Sequence, residues 1–373
     1  MKFSINQRIY FDRLGTDCLL SDNKFVKIYN FFAVNNYSIS SDLDKSDIVI
    51  LDLCGVGKSY IDIAEEKANF YYNEGKIVFL IGCISDIISN KYGNKYYYID
   101  SKNYNDVEKY FEFTINYIRI DRFYSDNKIN LLSTGNHFKG GGYSLENNFD
   151  KKFFIEISVG CQLNCSYCNI KKVKGNTKSL KKEDIINEIE KAVKDGKTEI
   201  FLLSDDCGSY GFDIGTNFGD LICDIFNIKG DIKLYITNIY PLYLVKYYNK
   251  IKEYIYLDKI SYILVPVQHY SSRVLKLMNR AYDVEKIIEI LKDIKLNSKT
   301  ELHNHIIFNY NEETLEEFVE TFKYLNYYDK TFYFKYSDVN NIYGKNHISY
   351  DLDKKIILLK KLQKKYSIDI PLW

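Results

Sequence analysis

The chain has 373 residues, 46% of them apolar and 27% charged. That is enough for two domains or one large α/β domain with a packed core, and too apolar for wholesale disorder. Its 51 basic and 50 acidic residues leave a formal net charge of +1, so the basic surplus expected of a protein built to grip phosphate backbones is absent; only a local basic stretch, Lys171, Lys172, Lys174 and Lys178, stands out.

The N-terminus, MKFSINQRIYFDRLG, lacks the apolar stretch of a signal peptide, and no apolar run is long enough for a membrane span. Cytoplasmic residence without a membrane anchor is the expectation. Thiols in that compartment stay reduced, so the eight cysteines point to metal ligands or reactive groups more than to disulfides.

SDIVILDLC (46–54) reads as a buried strand, the segment from Tyr60 to about Glu74 as a helix, and GKIVFLIGC (75–83) as a second strand. Apolar strands separated by helices predict a parallel sheet. Residues 114–150 break this rhythm and hold Gly140, Gly141 and Gly142, which suggests a linker between an N-terminal α/β domain, 1–113, and a second domain, 151–373. FFIEISV (153–159) is the next strand, followed by a long loop. A helix over 181–195 places Ile185, Ile189, Ala192 and Val193 on one face, with Ser179 as its cap and Gly196 as its stop. Further strands are predicted at 198–204, 233–241, 260–268 and 301–310, with helices at Val284 to Leu296, Glu313 to Leu325 and 351–367. Such a succession of βα units predicts a partial or full (β/α) barrel whose site lies at the C-terminal ends of its strands.

The cysteines follow that rule. Cys54 and Cys83 each end an apolar strand, and Cys18 closes the first apolar-containing segment. Residues just past parallel strand ends converge on one edge, so these three can meet in space. Three thiolates without a fourth ligand describe a [4Fe–4S] cluster with one iron left open; buried structural cysteine is the plain alternative. Cys161, Cys165 and Cys168, in VGCQLNCSYCNI, form a CxxxCxxC loop directly after the 153–159 strand, a spacing that wraps three irons of a cubane. The open iron of such a cluster can chelate S-adenosylmethionine and pass an electron to its sulfonium. A zinc knuckle is the competing reading, against which no fourth Cys or His follows at the usual distance. Cys207 and Cys223 carry no spacing signal and read as structural.

GCQLNCSYCNI, followed by KVKGNTKS, FLLSDDCGSYGFD and VPVQHYSSRVLKLMNRAY, resembles the radical S-adenosylmethionine methylthiotransferases, a family that modifies tRNA or a ribosomal protein. The upstream stretches LGTDC, LDLCGV and LIGC resemble that family's N-terminal domain, so the likeness covers nearly the whole chain. The resemblance implies two [4Fe–4S] clusters: Cys161, Cys165 and Cys168 for the one that cleaves S-adenosylmethionine, and Cys18, Cys54 and Cys83 for an auxiliary one that carries the sulfur to be delivered. It also implies a cofactor pocket. Ser204, Asp205 and Asp206 stand where the family contacts the cofactor's amino group, Lys174 where an arginine meets its carboxylate, and Gln268 and Arg280 where the pocket is lined. The plain alternatives are a cap or solvated turn for the SDD stretch, an exposed loop lysine for Lys174 and a helix-surface position for Arg280.

The chain departs from the family pattern at several points. Thr16 stands where the first cysteine normally follows LG, and Cys18 comes two residues later. The family's IVGFPGET appears as IIFNYNEET (306–314), without its glycines and proline, and Cys207 replaces a small hydroxyl residue. The predicted 351–367 helix leads almost immediately to the end, IPLW, so the family's C-terminal β-barrel is not expected here. With near-zero net charge, this favours a peptide or protein substrate over tRNA, with a low-potential flavodoxin or ferredoxin as electron donor. The remaining alternatives are a tRNA methylthiotransferase, another radical peptide-modifying enzyme and an iron–sulfur electron-transfer protein.

Overall fold

The computed structural model describes residues 2–13, 19–53, 58–83, 91–99, 102–117, 151–280, 282–338 and 347–370. Cys18, Cys54 and most of the expected 114–150 linker lie outside them. The chain divides into two compact units, Met1–Asn147 with Lys172–Lys174, and Asn148–Lys171 with Gly175–Trp373.

In the first unit, β1 (Arg8–Arg13), β2 (Ser38–Ser40), β3 (Ile48–Leu53), β4 (Ile77–Gly82) and β5 (Tyr97–Tyr98) form a parallel sheet in the order β2-β1-β3-β4-β5. Helices α1 (Leu19–Val34) and α2 (Lys58–Asn73) connect them, and α3 (Val107–Tyr110) follows β5. Every residue of β3 is buried, as a parallel strand covered on both faces requires. One face packs on an aromatic cluster in which Phe32, Tyr37, Phe79 and Phe111 meet edge to face or tilted, with ring centroids 4.7–5.8 Å apart. The order reverses between β1 and β3, which makes the C-terminal ends of those two strands the topological switch point, where open α/β sheets hold ligands.

The second unit is a seven-stranded parallel sheet in strict sequence order: β6 (Lys152–Glu156), β9 (Glu199–Leu203), β10 (Lys233–Ile236), β11 (Ile260–Leu264), β12 (Glu301–Phe308), β13 (Lys330–Lys335) and β14 (Ile368–Asp369). Singly wound parallel strands with helices between them are a (β/α) barrel, here open because β6 and β14 do not pair among the described residues. The covering helices are α5 (Lys182–Lys194), α6 (Phe218–Phe226), α7 (Pro241–Tyr256), α8 (Ser272–Leu277), α9 (Val284–Asn297), α10 (Leu315–Glu320) and α11 (Leu352–Leu362). Ile185, Ile189, Leu221, Leu244, Ile251, Leu291 and Leu359 seal them onto the outer face of the sheet.

Three sequence readings change. The 153–159 run is two strands. After β6 the chain turns away, and β7 (Ser158–Val159) pairs antiparallel with β8 (Lys178–Ser179), the two ends of the cysteine loop. Ser179 therefore sits in β8 and does not cap α5; its Oγ accepts from the backbone N–H of Gly211 at 2.9 Å, and Lys181 is the cap position. The predicted 313–325 helix shortens to α10 and continues as a tighter 3₁₀ segment, Thr321–Tyr327.

Gly82 ends β4 at φ +91°, and a Cβ there would lie 2.3 Å from the carbonyl oxygen of Leu53. Gly82→Ala should destabilise the first unit by roughly 2–4 kcal/mol, through left-handed strain plus a backbone clash. The check is hydrogen exchange of the β3 and β4 amides in the full chain, where wild-type protection would refute the account.

Candidate functional site

All the strands of the barrel deliver their C-terminal ends to one edge, and the CxxxCxxC loop, the SDD turn, Gln268 and Arg280 lie there. The loop between β7 and β8 carries Cys161, Cys165 and Cys168. It opens on Gly160 at φ +86°, where a Cβ would lie 2.5 Å from the carbonyl oxygen of Asn176, and the N–H of Cys161 donates to the Gly175 carbonyl at 3.2 Å. Only a glycine lets the two ends of the loop approach this closely. The N–H of Leu163 donates to Cys161 Sγ at 3.4 Å and that of Ile170 to Cys168 Sγ at 3.5 Å. Burial pushes the Cys161 thiol up to about 12 and the Cys168 thiol up to about 11. Both thiols are protonated in the metal-free chain at neutral pH, and metal binding has to displace those protons.

The VLKLMNR segment folds directly onto this loop. Ser166 donates through its backbone N–H to the Met278 carbonyl at 3.1 Å and through Oγ to the Leu277 carbonyl at 2.8 Å. Asn279 Nδ2 donates to the Asn164 carbonyl at 2.8 Å, and Arg280 Nη1 lies 3.7 Å from Cys165 Sγ. Two motifs more than 100 residues apart are thus one physical object.

The SDD turn follows β9. Ser204 Oγ is 2.7 Å from Ser158 Oγ, joining β9 to the start of the cysteine loop, and Asp205 Oδ2 accepts from the Gly160 N–H at 2.8 Å. Asp206 Oδ1 accepts from the backbone N–H groups of Gly208 at 3.1 Å and Tyr240 at 3.0 Å, while its Oδ2 has no partner although it is buried. Burial raises the Asp206 carboxyl to about 6, against those two hydrogen bonds and the nearby Arg280 charge. The SDD stretch is a cap, as one reading of the sequence had it, but a buried one rather than a solvated turn.

Gln268 follows β11 in the left-handed region, at φ +71°. Its N–H donates to the His305 carbonyl at 2.8 Å and its carbonyl accepts from Ile307 at 2.9 Å. The fixed backbone leaves Oε1 buried without a partner. Arg280 is buried too, with Nε unpartnered, which removes the helix-surface reading. Lys174 closes α4 (Ile170–Lys174) and is buried, not an exposed loop lysine, so the local basic stretch is no uniform solvated face. Cys207 is fully buried and its Sγ–H points at the Leu202 carbonyl, 3.5 Å away, as its structural reading expects.

Three buried polar atoms with unused hydrogen-bonding capacity, Asp206 Oδ2, Gln268 Oε1 and Arg280 Nε, thus accompany three thiols at one rim. Buried polar groups are nearly always paired, so such a set suits a polar, charged guest. Among the described residues, no three His, Cys, Asp or Glu side chains converge tightly enough to hold one metal ion. A cubane makes no such demand, since each thiolate takes a different iron.

Of the other expected triad, only Cys83 is among the described residues, half-buried just after β4. Leu53 pairs with Gly82, so the residues before Cys54 and Cys83 are direct neighbours across β3 and β4. Beside them Asp52 is buried, accepts from Arg13 Nε at 2.9 Å and Ser21 Oγ at 3.3 Å, and has its carboxyl raised by desolvation.

A second buried network on the barrel rim escapes sequence reasoning. His269 Nε2 donates to Glu313 Oε1 at 2.9 Å, while its Nδ1 accepts from the Ser271 N–H. Glu313 Oε2 accepts from Lys355 Nζ at 2.7 Å and from the Asn309 N–H at 2.6 Å, and His269, Glu313 and Lys355 are all fully buried. No local pattern signals a partner 42 residues away.

Several known proteins are similar to this chain. Residues 155–325 match the radical SAM superfamily. A tRNA-2-methylthio-N(6)-dimethylallyladenosine synthase of Campylobacter hominis is 27% identical over 81% of this chain and 71% of its own length. A ribosomal protein uS12 methylthiotransferase of Clostridium botulinum is 26% identical over 81% and 69%. The structure of the radical S-adenosylmethionine methyltransferase TsrM from Kitasatospora setae, with cobalamin and a [4Fe–4S] cluster bound, superposes with a TM-score of 0.57 over 89% of this chain and 75% of that one. At 10% identity that likeness speaks to the fold alone. A radical SAM domain implies a [4Fe–4S] cluster and S-adenosylmethionine as cofactors. Residues 155–325 are thus a radical SAM domain, and the chain is similar, as a divergent relative, to tRNA and ribosomal-protein methylthiotransferases.

Proposed function

We propose that this radical SAM enzyme inserts a methylthio group at an unactivated carbon–hydrogen bond of a peptide or protein. The observation that carries the reading is the coincidence of three thiols with three unpartnered buried polar atoms at the barrel rim. Cys161, Cys165 and Cys168 would hold one [4Fe–4S] cluster, and Cys18, Cys54 and Cys83 a second. Bound there, the first cluster would supply the electron that splits S-adenosylmethionine to a hydrogen-abstracting radical, and the second would supply the sulfur.

The remaining work falls to the chain's own groups. Asp206 Oδ2 is a buried anionic acceptor suited to the cofactor's ammonium, which would repay the desolvation that raises its carboxyl. Ser204 and Asp205 fix the cysteine loop against β9, so the thiols and the acceptor move as one piece. Gln268 offers Oε1 from a backbone held on both sides. Lys174 would meet the cofactor's carboxylate. The electron would come from a low-potential flavodoxin or ferredoxin.

In the first unit, the adjacency of β1, β3 and β4 supports the auxiliary-cluster reading, because their C-terminal ends are consecutive along the sheet edge. Near-neutral net charge favours a peptide or protein substrate. A tRNA is the second reading, favoured by relatives named for tRNA modification that match across most of the chain. Offering a reconstituted enzyme a candidate peptide and bulk tRNA, with mass spectrometry of both, separates the two.

Anaerobic reconstitution should load two clusters' worth of iron per chain. Cys165→Ala should abolish S-adenosylmethionine cleavage, while Cys54→Ala should leave cleavage intact and stop methylthio transfer. Methylthiolated product from Cys54→Ala would remove the first unit from sulfur delivery.

Asp206→Asn gives a pH-dependent test. Because burial raises this carboxyl from 3.8 to about 6, the protonated form contributes stability that is complete below 3.8 and lost as pH rises through 6. A neutral asparagine keeps the two backbone bonds without the desolvated charge. In the cluster-free chain it should stabilise the fold by roughly 3 kcal/mol at neutral pH and by nothing under acid conditions, while weakening S-adenosylmethionine binding at least about tenfold. Equilibrium unfolding at both pH values and calorimetric binding to the loaded protein are the checks; unchanged binding would remove Asp206 from the pocket.

A further inference from the structure

Each of the three sulfurs of the CxxxCxxC loop receives one N–H donor, and the donors are not alike. Cys161 and Cys168 accept from neutral backbone amides, of Leu163 and Ile170. Cys165 accepts from Nη1 of Arg280, which carries a full charge, at 3.7 Å. Arg280 is 4% exposed, and its other bonds go to neutral oxygens: Nη1 to Tyr167 Oη at 2.9 Å and Nη2 to the Pro266 carbonyl at 2.6 Å. Its guanidinium lies 4.5 Å from the centre of the Tyr240 ring. No carboxylate bonds to it among the described residues; Asp206, the acid in the same pocket, spends its bonded oxygen on the N–H groups of Gly208 and Tyr240.

A guanidinium buried among neutral partners is costly, and it persists only where something anionic compensates it. Among the described residues, the one soft acceptor it touches is Cys165 Sγ. Three cysteine thiolates around a cubane provide a delocalised negative charge at that place, and reduction adds another. A fixed positive charge stabilises the more negative, reduced form more than the oxidised one, and an N–H···S bond acts in the same direction.

We infer that Arg280 tunes the cluster: its buried guanidinium, donating to Cys165 Sγ, raises the reduction potential of the iron–sulfur cluster held by the loop, so that a biological one-electron donor can reduce it. This rests on the reading of Cys161, Cys165 and Cys168 as cluster ligands. It gives Arg280 a role separate from lining the S-adenosylmethionine pocket, one that exists before the cofactor binds.

The test uses the full chain, reconstituted anaerobically without S-adenosylmethionine, as wild type, Arg280→Lys and Arg280→Gln. Iron is counted, and the reduced cluster is followed by electron paramagnetic resonance during titration with a one-electron reductant. At the poise where the wild type is half reduced, Arg280→Gln should show a reduced-to-oxidised ratio about tenfold lower, about 59 mV for a one-electron couple. Arg280→Lys, which keeps the charge and loses the planar fork, should stay within about threefold of wild type. Arg280→Met, which fills the space without a polar group, provides a second neutral variant where glutamine does not fold. A purely packing role predicts that lysine and the neutral variants shift together. That result, or an unchanged ratio in a fully loaded neutral variant, overturns the inference. A wild-type chain that binds no iron would instead overturn the cluster reading beneath it.

Discussion

Parallel pairing is the constraint from which the rest follows. When every strand of a sheet runs the same way, each must be covered on both faces, and each delivers its following loop to the same edge. The barrel applies this to β6, β9, β10, β11 and β12, so the cysteine loop, the SDD turn, Tyr240, Gln268 and Glu313 come to one rim without any contact between them in sequence. The first unit applies it to β1, β3 and β4. Chemistry needing several ligands from distant parts of a chain is then a consequence of topology, with local sequence supplying only the residue types.

Placing those groups costs stability, and the cost is visible. Asp206 has one bonded and one unbonded oxygen out of water, Gln268 is held in a left-handed conformation, and Arg280 buries a charge beside a sulfur. Two glycines do matching work in the two units: Gly160 and Gly82 each stand immediately before a cysteine, each at positive φ, each where a Cβ would strike a carbonyl of the neighbouring segment. Both let the backbone leave a strand at an angle no other residue tolerates, which fixes where the next thiol starts.

What could be read from the sequence was whatever short-range pattern encodes. Ile48–Leu51 and Ile77–Ile81 are continuous apolar runs because parallel strands have no solvent face, and β3 and β4 were legible for that reason. The CxxxCxxC spacing was legible because one loop supplies all three sulfurs. β13 and β14 were not: TFYF is a short run flanked by Lys330 and Lys335, and Ile368–Asp369 is too short to carry a period. Ser179 was misread because serine chemistry suits a cap and a strand end equally, and its actual partner, Gly211, lies 32 residues on. The burial of Lys174 and Arg280 was likewise invisible, since a charged residue in a polar stretch looks exposed until tertiary structure covers it.

IIFNYNEET takes the place of the IVGFPGET of the proteins this chain resembles, and its backbone is unusual where that motif has glycine. Aligned on the shared Glu313 and Thr314, the two missing glycines fall on Asn309 and Glu312. Both residues are left-handed, at φ +59° and +57°. Asparagine adopts that region at small cost, but a glutamate there is strained by roughly 1–2 kcal/mol. The turn is over-determined by its neighbours. Glu313 accepts from the Asn309 N–H, from His269 and from Lys355, all buried, and Thr314 closes a capping box with Glu317 at the start of α10. Breaking such a buried network would leave an uncompensated charge, a penalty of about 3–5 kcal/mol that exceeds the strain. The same network holds His269, the residue after Gln268, so the bonds that tolerate the lost glycines also anchor the backbone that presents Gln268 Oε1 to the site.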